Sequence, residues 1–472
     1  MATTTSGSES VGEVETPLRR VLGPRLLLLF IIGDVLGTGI YALTGQVAGL
    51  VGGAVWIAFA CAFAVALLTA ASYLELVTKY PRAAGAALYC HKAFGIHFLT
   101  FLVTFTVMSS GITSASTASR AFGTNALTFF GVDAPGAGVV TTVALVFIAA
   151  VALVNLRGVG ESVRANTVLT LIELSGLLIV VVLGAWALLG GEGDLGRAAS
   201  IDLPQGQSAL AAITAATALA FFALVGFEDS VNMAEETHEP VRTFPRVMVL
   251  ALAIAGVIYI LVGIVAVALV PADALSQTTT PLLDAVEIAA PGFPIIVFAA
   301  ISCFAVANSA LLNMLMASRL LYGMAREDVV PRWLGPVLPN RRTPWMAVLF
   351  TTALSIVLIT IVSANAESTA VAALGSTTSF LLLVVFSIVH VAVLVLRRDP
   401  VEHEHFRAPT PVPFLGVALC AYLVFFADRD AVVYRIAAAM IGLGVLLWAL
   451  TWVGNRALRG RRTLVRDPSR LR

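Results

Sequence analysis

A carboxylate and a cluster of glycines interrupt the first long apolar stretch of this 472-residue sequence, in the segment GDVLGTGIY. Asp34 is followed by Gly37, Thr38 and Gly39, close to the middle of the stretch. Glycine weakens a helix, so the segment predicts an unwound turn, with a second helical half beginning near Ile40. The free N–H groups and the positive dipole end of that half would face the break, and the Thr38 hydroxyl adds a donor. The segment is therefore a candidate site for a carboxylate.

A second interruption lies in the sixth apolar stretch, in FFALVGFEDSVNMAEE. Gly226 stands among aromatic residues and is followed by Glu228 and Asp229. A break here leaves carbonyl groups of the preceding half-helix at mid-span, and carbonyls and carboxylates suit an ammonium group. The two breaks together match a zwitterion with one carboxylate and one amine. The alternative is that the glycines serve only close helix packing, since Gly33 and Gly37 have the spacing of small residues at helix contacts.

The composition indicates the environment of both segments. The sequence is 59% hydrophobic and 12% charged, with a mean hydropathy of +0.94, whereas soluble proteins carry about 25% charged residues. An integral membrane protein is therefore expected, and the net charge of +1 gives no reason to expect a nucleic-acid partner. The four cysteines have no metal-ligand spacing, and no disulfide framework is predicted. The histidines in EHEHF, Glu402 to Phe406, are interpreted as part of a solvated loop, with a surface metal site as the alternative.

Twelve apolar stretches approach the length needed to cross a bilayer, roughly 20 residues. Lipid offers the backbone no hydrogen-bond partners, so each crossing is predicted to be an α-helix. The expected spans are 26–49, 54–78, 97–121, 138–156, 166–190, 208–234, 247–270, 293–318, 345–363, 370–396, 412–427 and 432–454.

The basic residues predict how the chain is oriented in the membrane. With the N-terminus inside, 25 of the 29 lysines and arginines fall on the inner side and 4 on the outer side. This asymmetry predicts both termini in the cytoplasm and the spans in the cell membrane. The first 16 residues lack the features of a signal peptide. Residues 1–25 are expected to form a disordered cytoplasmic tail, and 455–472 a basic one.

Interrupted helices five spans apart are typical of secondary transporters built from two inverted halves. Four segments of the sequence are distinctive: IGDVLGTGIY, YLELVTKYPRAAGAALY, FFALVGFEDSVNMAEETHEPVRTFPR and NMLMASRLLYGMAREDVVP. They resemble motifs of the amino acid–polyamine–organocation transporter family, and most of all of its amino acid permeases. The resemblance implies an all-α, leucine-transporter-type fold. It has a ten-helix core at 26–396, made of repeats 26–190 and 208–396, and two further helices at 412–454.

The resemblance also implies which residues would bind substrate. The substrate carboxylate would meet the backbone of Thr38, Gly39 and Ile40, and the amine would meet carbonyl groups near Phe222 and Val225. An aromatic gate is implied at Phe222 or Phe227, and the third and eighth helices would add side chains. The candidate substrate-binding residues are Gly37, Thr38, Gly39, Ile40, Ser109, Phe222, Val225, Gly226, Phe227, Glu228 and Asn308.

The fifth span departs from the family pattern. Many relatives carry a lysine, which stands in for a bound cation, in the run that here reads ESVRANTVLTLIELSG. The matching residue is Glu173, about seven residues and roughly 10 Å into its span, at a depth similar to that of Asp34. A carboxylate in the membrane costs about 2.5–3.5 kcal/mol, which makes Glu173 a functional candidate.

Glu173, together with Asp34, is the hypothesised proton-coupling site. Burial and a neighbouring carboxylate both disfavour the charged form of a carboxyl group, so such a group can bind and release a proton as the cavity changes access. Two alternatives stay open: a sodium ion held by Glu173, or a static hydrogen bond from protonated Glu173 to unwound backbone.

These features predict a secondary active transporter of amino acids or related amines, coupled to protons and working by alternating access. An amino acid/polyamine exchanger and a sodium-coupled symporter use the same fold. A channel or receptor is the alternative of a different class, although no repeated filter segment occurs. An enzyme or a cofactor is not expected, because no nucleophile–base pair stands out. Asp34, Glu173 and Glu228 predict a bias toward positively charged substrates.

Overall fold

The computed structural model describes residues 22–82, 85–132, 135–157, 162–200, 208–338, 341, 343–365 and 370–458. Within these ranges the backbone is helical, apart from connections and an isolated β-bridge between Leu22 and Thr237. The helices of the first half are α1 (Pro24–Val35), α2 (Thr38–Val51), α3 (Val55–Lys79), α4 (Gly85–Phe94), α5 (His97–Phe129), α6 (Ala137–Arg157) and α7 (Ser162–Leu189).

The second half begins with another interrupted helix. Its helices are α8 (Ala209–Ala220), α9 (Phe227–Ser230), α10 (Pro240–Leu269), α11 (Ala272–Gln277), α12 (Pro281–Ala289), α13 (Ile295–Arg326), α14 (Trp345–Asn365), α15 (Ala370–Leu396), α16 (Pro411–Phe426) and α17 (Ala431–Leu458). Short 3₁₀ turns lie at Leu195–Ala199, Phe221–Leu224, Val231–Glu236 and Arg332–Leu334.

Eleven segments of the described chain are long and apolar enough to cross a membrane. They match the predicted spans, with α1 and α2 forming one crossing and Ala209–Glu236 another. The remaining predicted span, 412–427, corresponds to α16, an apolar helix of 16 residues, about 24 Å long at 1.5 Å per residue. The predicted all-α membrane fold is confirmed.

The outer helices expose the apolar side chains that a bilayer would cover. Trp186 and Leu189 on α7 are 77% and 88% exposed, and Phe425 on α16 is 78% exposed. By contrast, α5 buries a series of threonines and serines and packs against α13, α15 and α6. Polar residues inside and apolar residues outside are the arrangement expected in lipid.

The two described ends of the chain lie at the same side of the bundle, here called the terminal face. Leu22 N donates to Glu236 O (2.9 Å), and His238 N donates to Leu22 O (2.9 Å). Near the other end, Asn455 Nδ2 donates to Asp328 O (3.2 Å), just beyond α13. Residues 22–25, predicted as part of a tail, thus include an ordered bridge; residues 1–21 and 459–472 lie outside the described ranges.

At the terminal face, the connection between α15 and α16 is fastened to the end of α3. Arg397 donates to both carboxylate oxygens of Glu75, at 2.8 and 2.7 Å. Ala408 N donates to Glu75 Oε2 (3.0 Å), and Arg397 Nη2 donates to Ala408 O (2.7 Å). The carboxylate and the guanidinium therefore hold both ends of the connection, and this group of three residues is called the inner clasp.

The EHEHF segment belongs to the same connection; Glu402, His403 and Glu404 are exposed, as in the solvated loop that was predicted, and two of its residues contact α3. Phe406 N donates to Thr78 Oγ1 (3.0 Å), and His403 Nε2 lies 3.0 Å from Thr78 O. Within the described residues, no group of three or more His, Cys, Asp or Glu side chains could hold a metal ion. The segment packs onto α3 because Thr78 offers a hydroxyl and a carbonyl at the helix end.

Candidate functional site

The first crossing is broken between α1 and α2. Leu36 leaves the helix with ψ 136°, and Gly37 continues in extended backbone with φ 163° and ψ −144°. The second half begins at Thr38, two residues earlier than predicted, and Thr38 N donates to Ser309 Oγ on α13 (3.3 Å). A side chain at Gly37 would collide with Ser309, because a Cβ there would lie 2.1 Å from Oγ. The break is therefore held open by α13.

The sixth crossing is broken at Val225 and Gly226, between the turn Phe221–Leu224 and α9. Val225 is extended, and Gly226 has φ 127°, in a region that disfavours other residues. Gly226 N donates to Glu228 Oε2 (2.8 Å), so the Glu228 side chain folds back over the break. The sequence placed this break correctly because glycine alone fits it.

The two breaks lie directly against each other. A Cβ on Gly226 would be 2.6 Å from Asp34 O, and a Cβ on Gly39 would be 2.3 Å from Ala223 Cα. The backbones of the first and sixth crossings can approach this closely only because both positions are glycine. Gly33 has a different role, since its missing side chain admits Thr170 of α7 (1.8 Å to Oγ1). Close packing thus explains Gly33, while Gly39 and Gly226 join the two breaks.

A small cavity of about 20 Å³ lies where the breaks meet. It is lined from four sides, by both interrupted helices, by α5 and by α13. The lining residues are Asp34, Val35, Gly37, Thr38, Gly39, Ser114, Phe222, Val225, Gly226, Asp229, Ser309 and Asn313. This volume holds about one water molecule, since a water needs at least about 10–15 Å³ on the same measure.

A second cavity, of about 10 Å³, continues toward the terminal face. Val225, Asp229 and Asn313 line both cavities. The other residues of the second cavity are Val107, Ser110, Gly111, Glu228, Met316, Ala317, Leu320, Thr378 and Leu382. Three carboxyl groups, those of the buried Asp34 and Glu228 and of the half-buried Asp229, thus line the two cavities, and no lysine or arginine is among the lining residues. The field inside is negative whenever these groups are ionised.

Glu173 lies behind the first break and is not a lining residue of either cavity. Its side chain is fully buried on α7, and Oε1 is 3.6 Å from where a Cβ on Gly37 would be. Neither carboxylate oxygen has a hydrogen-bond partner among the described residues. Tyr41 donates its hydroxyl hydrogen to Glu173 O (3.0 Å), which ties the second half-helix to α7. Asp34 and Glu173 therefore face the break from different sides.

Eight of the predicted residues line the cavities and five, Glu173 among them, do not. Ile40 is buried away from them, and Phe227 belongs to an aromatic cluster with Tyr73 and Phe386, with ring centroids 6.0 and 5.7 Å away. Ser109 is buried on α5, where its neighbour Ser110 and, one turn on, Ser114 line the cavities instead. The residues that do line the cavities are Asp34, Gly37, Thr38, Gly39, Phe222, Val225, Gly226 and Glu228.

Asn308 supports the first break from outside the cavity. Its Nδ2 donates to Gly33 O (3.3 Å) and to Asn166 Oδ1 (2.9 Å) on α7. Ser309, the next residue, lines the cavity and bonds to Thr38. Sequence reasoning missed Ser309 and Asn313, and it noted Asp229 beside the break without including it among the candidate binding residues. The i, i+4 spacing of Ser309 and Asn313 is a helical-face signal that could have indicated these two.

Comparison with known proteins places the chain in a family. The family model described as amino acid permease matches residues 22–450. An uncharacterized transporter of Mycobacterium tuberculosis is 28% identical, over 95% of this chain and 94% of the relative. The branched-chain amino acid permease of Bacillus subtilis is 25% identical over 91% and 92%. A vacuolar cationic amino acid transporter of Arabidopsis thaliana is 29% identical over 78% and 62%.

The family match covers both broken crossings and the described spans as far as residue 450, within the last of them, which confirms the resemblance first seen in the motifs. The family and the similar proteins are permeases and transporters, which also confirms that the chain is not an enzyme. The chain belongs to the amino acid permease family, and it is a multi-pass membrane transporter of amino acids or related compounds.

Proposed function

We propose that the protein is a secondary active transporter whose substrate binds between the two helix breaks. The observation that carries this proposal is the contact of Gly226 with Asp34 and of Gly39 with Ala223, which brings both breaks to one cavity. In this proposal the Thr38–Gly39 backbone receives the substrate carboxylate, and the carbonyl groups around Phe222 and Val225 receive the amine. The transporter works in the cell membrane, with the terminal face toward the cytoplasm.

The size of the cavity supports alternating access. A volume of about 20 Å³ is too small for an amino acid, so binding requires the first and sixth crossings to separate. Phe222 lies between α2 and α15, where a Cβ on Gly375 would meet Leu43 at 3.0 Å and Phe222 at 3.5 Å. Movement at this contact opens the cavity away from the terminal face. The second cavity, lined by Glu228 and Leu320, marks the path from the first cavity to the terminal face.

Glu173 is the proposed proton-coupling residue. An ionised carboxylate that is fully buried without partners is costly, so the closed arrangement favours the protonated form. Separation of α1 and α2 from α7 would admit water to the carboxyl group and release the proton. A carboxyl group stands here in place of the lysine implied by the family pattern, so the role of that lysine does not transfer to this chain.

Replacing Glu173 with glutamine is expected to abolish proton-driven accumulation. Glutamine keeps the size and polarity of the side chain but cannot release a proton, so uptake should lose its dependence on pH and stop at equilibration. The measurement is uptake of labelled amino acids into liposomes against external pH, with and without a pH gradient. Glu287→Gln, at an exposed glutamate on α12, is the matched control and should keep the wild-type profile.

The same assay distinguishes the rival mechanisms. A requirement for sodium that disappears in Glu173→Gln would point to a sodium symporter. Uptake that depends on internal amino acid or polyamine, without any gradient of protons or sodium, would point to an exchanger. If Glu173→Gln keeps the wild-type pH profile and still accumulates substrate, Glu173 is not the coupling residue.

A preference for positively charged substrates follows from the acidic lining. We expect Asp229 to be the residue that contributes most to this preference. Asp229 lies beside both cavities, so a second ammonium or guanidinium group on the substrate can reach it. A hydrogen bond to a charged partner contributes about 1.5–3 kcal/mol, so Asp229→Asn should weaken binding of arginine or ornithine by roughly tenfold to a hundredfold. Leucine binding should change much less.

Competition of unlabelled arginine, ornithine, putrescine and leucine for uptake measures this preference. Asn313→Asp is the matched opposite change, because Asn313 lines the same two cavities and would add a carboxylate. It should strengthen the binding of cationic substrates. Tighter binding of leucine than of all the cationic compounds by the wild type would contradict the preference.

A further inference from the structure

A larger space opens on the face opposite to the terminal face, well away from the acidic cavities. It has a volume of about 550 Å³ and is enclosed by α2, α8, α15 and the connection between α16 and α17. Small-molecule sites usually occupy about 300–1,000 Å³. We call it the outer vestibule; its polar lining residues are Gln46, Ser208, Ser376, Asp428, Arg429 and Asp430.

Arg429 is the basic residue among those that line the outer vestibule. Its Nη1 donates to Val424 O (3.3 Å) and Ala427 O (3.2 Å) at the end of α16, which fixes the guanidinium in place. The guanidinium also lies over the Phe380 ring, 5.3 Å from its centroid. Tyr434 interacts with the same group. The guanidinium is therefore held at the end of α16 and is half-buried.

One nitrogen of this guanidinium lacks an acceptor. Nη2 is buried and has no hydrogen-bond partner among the described residues. A buried donor without an acceptor is unfavourable by about 1–3 kcal/mol, and more for a charged group. An anion in the outer vestibule would supply the acceptor after a small rotation of the side chain. Arginine and a carboxylate are a well-matched pair because two N–H groups can face two oxygens.

The neighbours of Arg429 add the opposite charge. Asp428 and Asp430 are exposed and line the same space. One fixed cation between two carboxylates matches a small molecule that carries both an anion and an ammonium group. The rest of the wall is alanine, leucine and valine, so it does not select a particular side chain on such a molecule.

The outer vestibule and the first cavity lie in series. Ala218 and Leu219 at the end of α8 line the vestibule, and Phe222, three residues later, lines the cavity. Ser379 Oγ donates to Ala218 O (2.5 Å), which joins α15 to α8 at this level. Leu43, Phe222 and the Gly375 backbone come together at this level, and we call this contact the Phe222 layer.

We propose that the outer vestibule is a second binding site for free amino acids, in which Arg429 holds the α-carboxylate and Asp428 or Asp430 holds the α-ammonium group. It receives the substrate before the Phe222 layer opens and recognises the main-chain groups that amino acids share. This inference rests on the proposed transport of amino acids, but its test does not depend on flux.

Equilibrium binding of labelled L-arginine to the purified full-length protein tests the site. Gly39→Val is used as the background, because it removes binding between the helix breaks. This variant should still bind L-arginine, and adding Arg429→Gln should weaken that binding at least about tenfold, as expected for loss of a charged hydrogen bond. Arg435→Gln, at an exposed arginine on α17 outside the vestibule, should leave it unchanged.

Two further measurements separate recognition from loss of structure. Agmatine, which is arginine without its carboxylate, should bind the background variant equally well with or without Arg429→Gln. Ser376→Leu should fill the space from α15 without touching the bonds of Arg429 to α16, and it should weaken L-arginine binding to a similar extent. A folded Arg429→Gln protein is identified by an unchanged elution volume on size-exclusion chromatography.

No binding of L-arginine to Gly39→Val, or binding that Arg429→Gln and Ser376→Leu leave unchanged, would overturn the inference. A phospholipid seen by native mass spectrometry on the wild type but lost from Arg429→Gln, with no L-arginine bound, would also overturn it in favour of a lipid occupant. If L-arginine binding depends on Arg429 but the protein takes up no cationic substrate, the second binding site in the outer vestibule is supported. The proposed preference for cationic substrates is then rejected.

Discussion

Gly39→Val is expected to abolish transport, with uptake reduced at least about a hundredfold. A Cβ at position 39 would lie 2.3 Å from Ala223 Cα and 2.6 Å from Ala223 Cβ. Both atoms belong to the chain segment between α8 and the second break, so no flexible side-chain end can give way. The added side chain must push the two breaks apart, and the carboxylate and the amine of a substrate can then no longer be bound together.

The experiment compares uptake, substrate binding and thermal unfolding for the same preparations. Overpacking costs about 1–3 kcal/mol, so the variant should insert and fold with a lowered Tm. Gly442→Val on α17 is the matched control, because nothing lies within 4 Å of a Cβ there. Normal affinity and normal flux in Gly39→Val would show that substrate does not bind between the breaks.

Removing one partner of the inner clasp is expected to cost about 3–5 kcal/mol of stability, because it leaves a buried charge without its counter-charge. Glu75 is 2% exposed and Arg397 is 11% exposed, and the pair is bidentate. In Glu75→Gln the guanidinium loses its counter-charge and the Ala408 N–H loses its carboxylate acceptor. The connection between α15 and α16 should detach from α3, and the Tm should fall.

The surface pair Arg242 and Glu239 is the control for this prediction. These residues are 3.7 Å apart and 82% and 73% exposed, so Glu239→Gln should change stability very little. The double variant Glu75→Leu with Arg397→Met should recover much of the loss, since no unpaired charge remains. If Glu75→Gln melts at the wild-type temperature, the inner clasp does not hold the fold together.

The inner clasp should not act as a pH switch through its arginine. The hydrogen bonds that Arg397 donates to Glu75 raise the pKa of the guanidinium above its ordinary value. When folding raises the pKa of a cation, its contribution to stability is complete at any pH below its pKa in the unfolded protein. That contribution is lost only as the pH rises through its pKa in the folded protein. That range lies far above neutral pH, so the guanidinium stays charged in any assay buffer.

Hydropathy and glycine positions were enough to predict the spans and both breaks. Lipid forces each crossing to be helical, and a residue with the φ of Gly226 must be glycine, so these features depend on local chemistry. The start of α2 was misplaced because Thr38 N is bonded by Ser309, which is 271 positions away in the sequence. No local pattern contains that partner.

The faces of the helices were harder to predict than their existence. Asn308 and Ser309 are neighbours in sequence but differ by about 100° around a helix, and only packing decides which one meets the cavity. The same holds for Ser109 and Ser110 on α5. Asp229 was passed over in favour of Glu228, because the sequence does not reveal that Glu228 folds back onto Gly226 N.

The bridge between Leu22 and Thr237 has a consequence for the timing of synthesis. Its two residues are separated by 215 positions, which at about 5–20 residues per second take roughly 10–40 s to translate. Until then the start of the first crossing lacks its bridge at the terminal face, and Asp34 lacks its contact with Gly226, which follows it by 192 positions. The first crossing must therefore stay in the membrane as an incomplete, interrupted helix until the sixth has been inserted beside it.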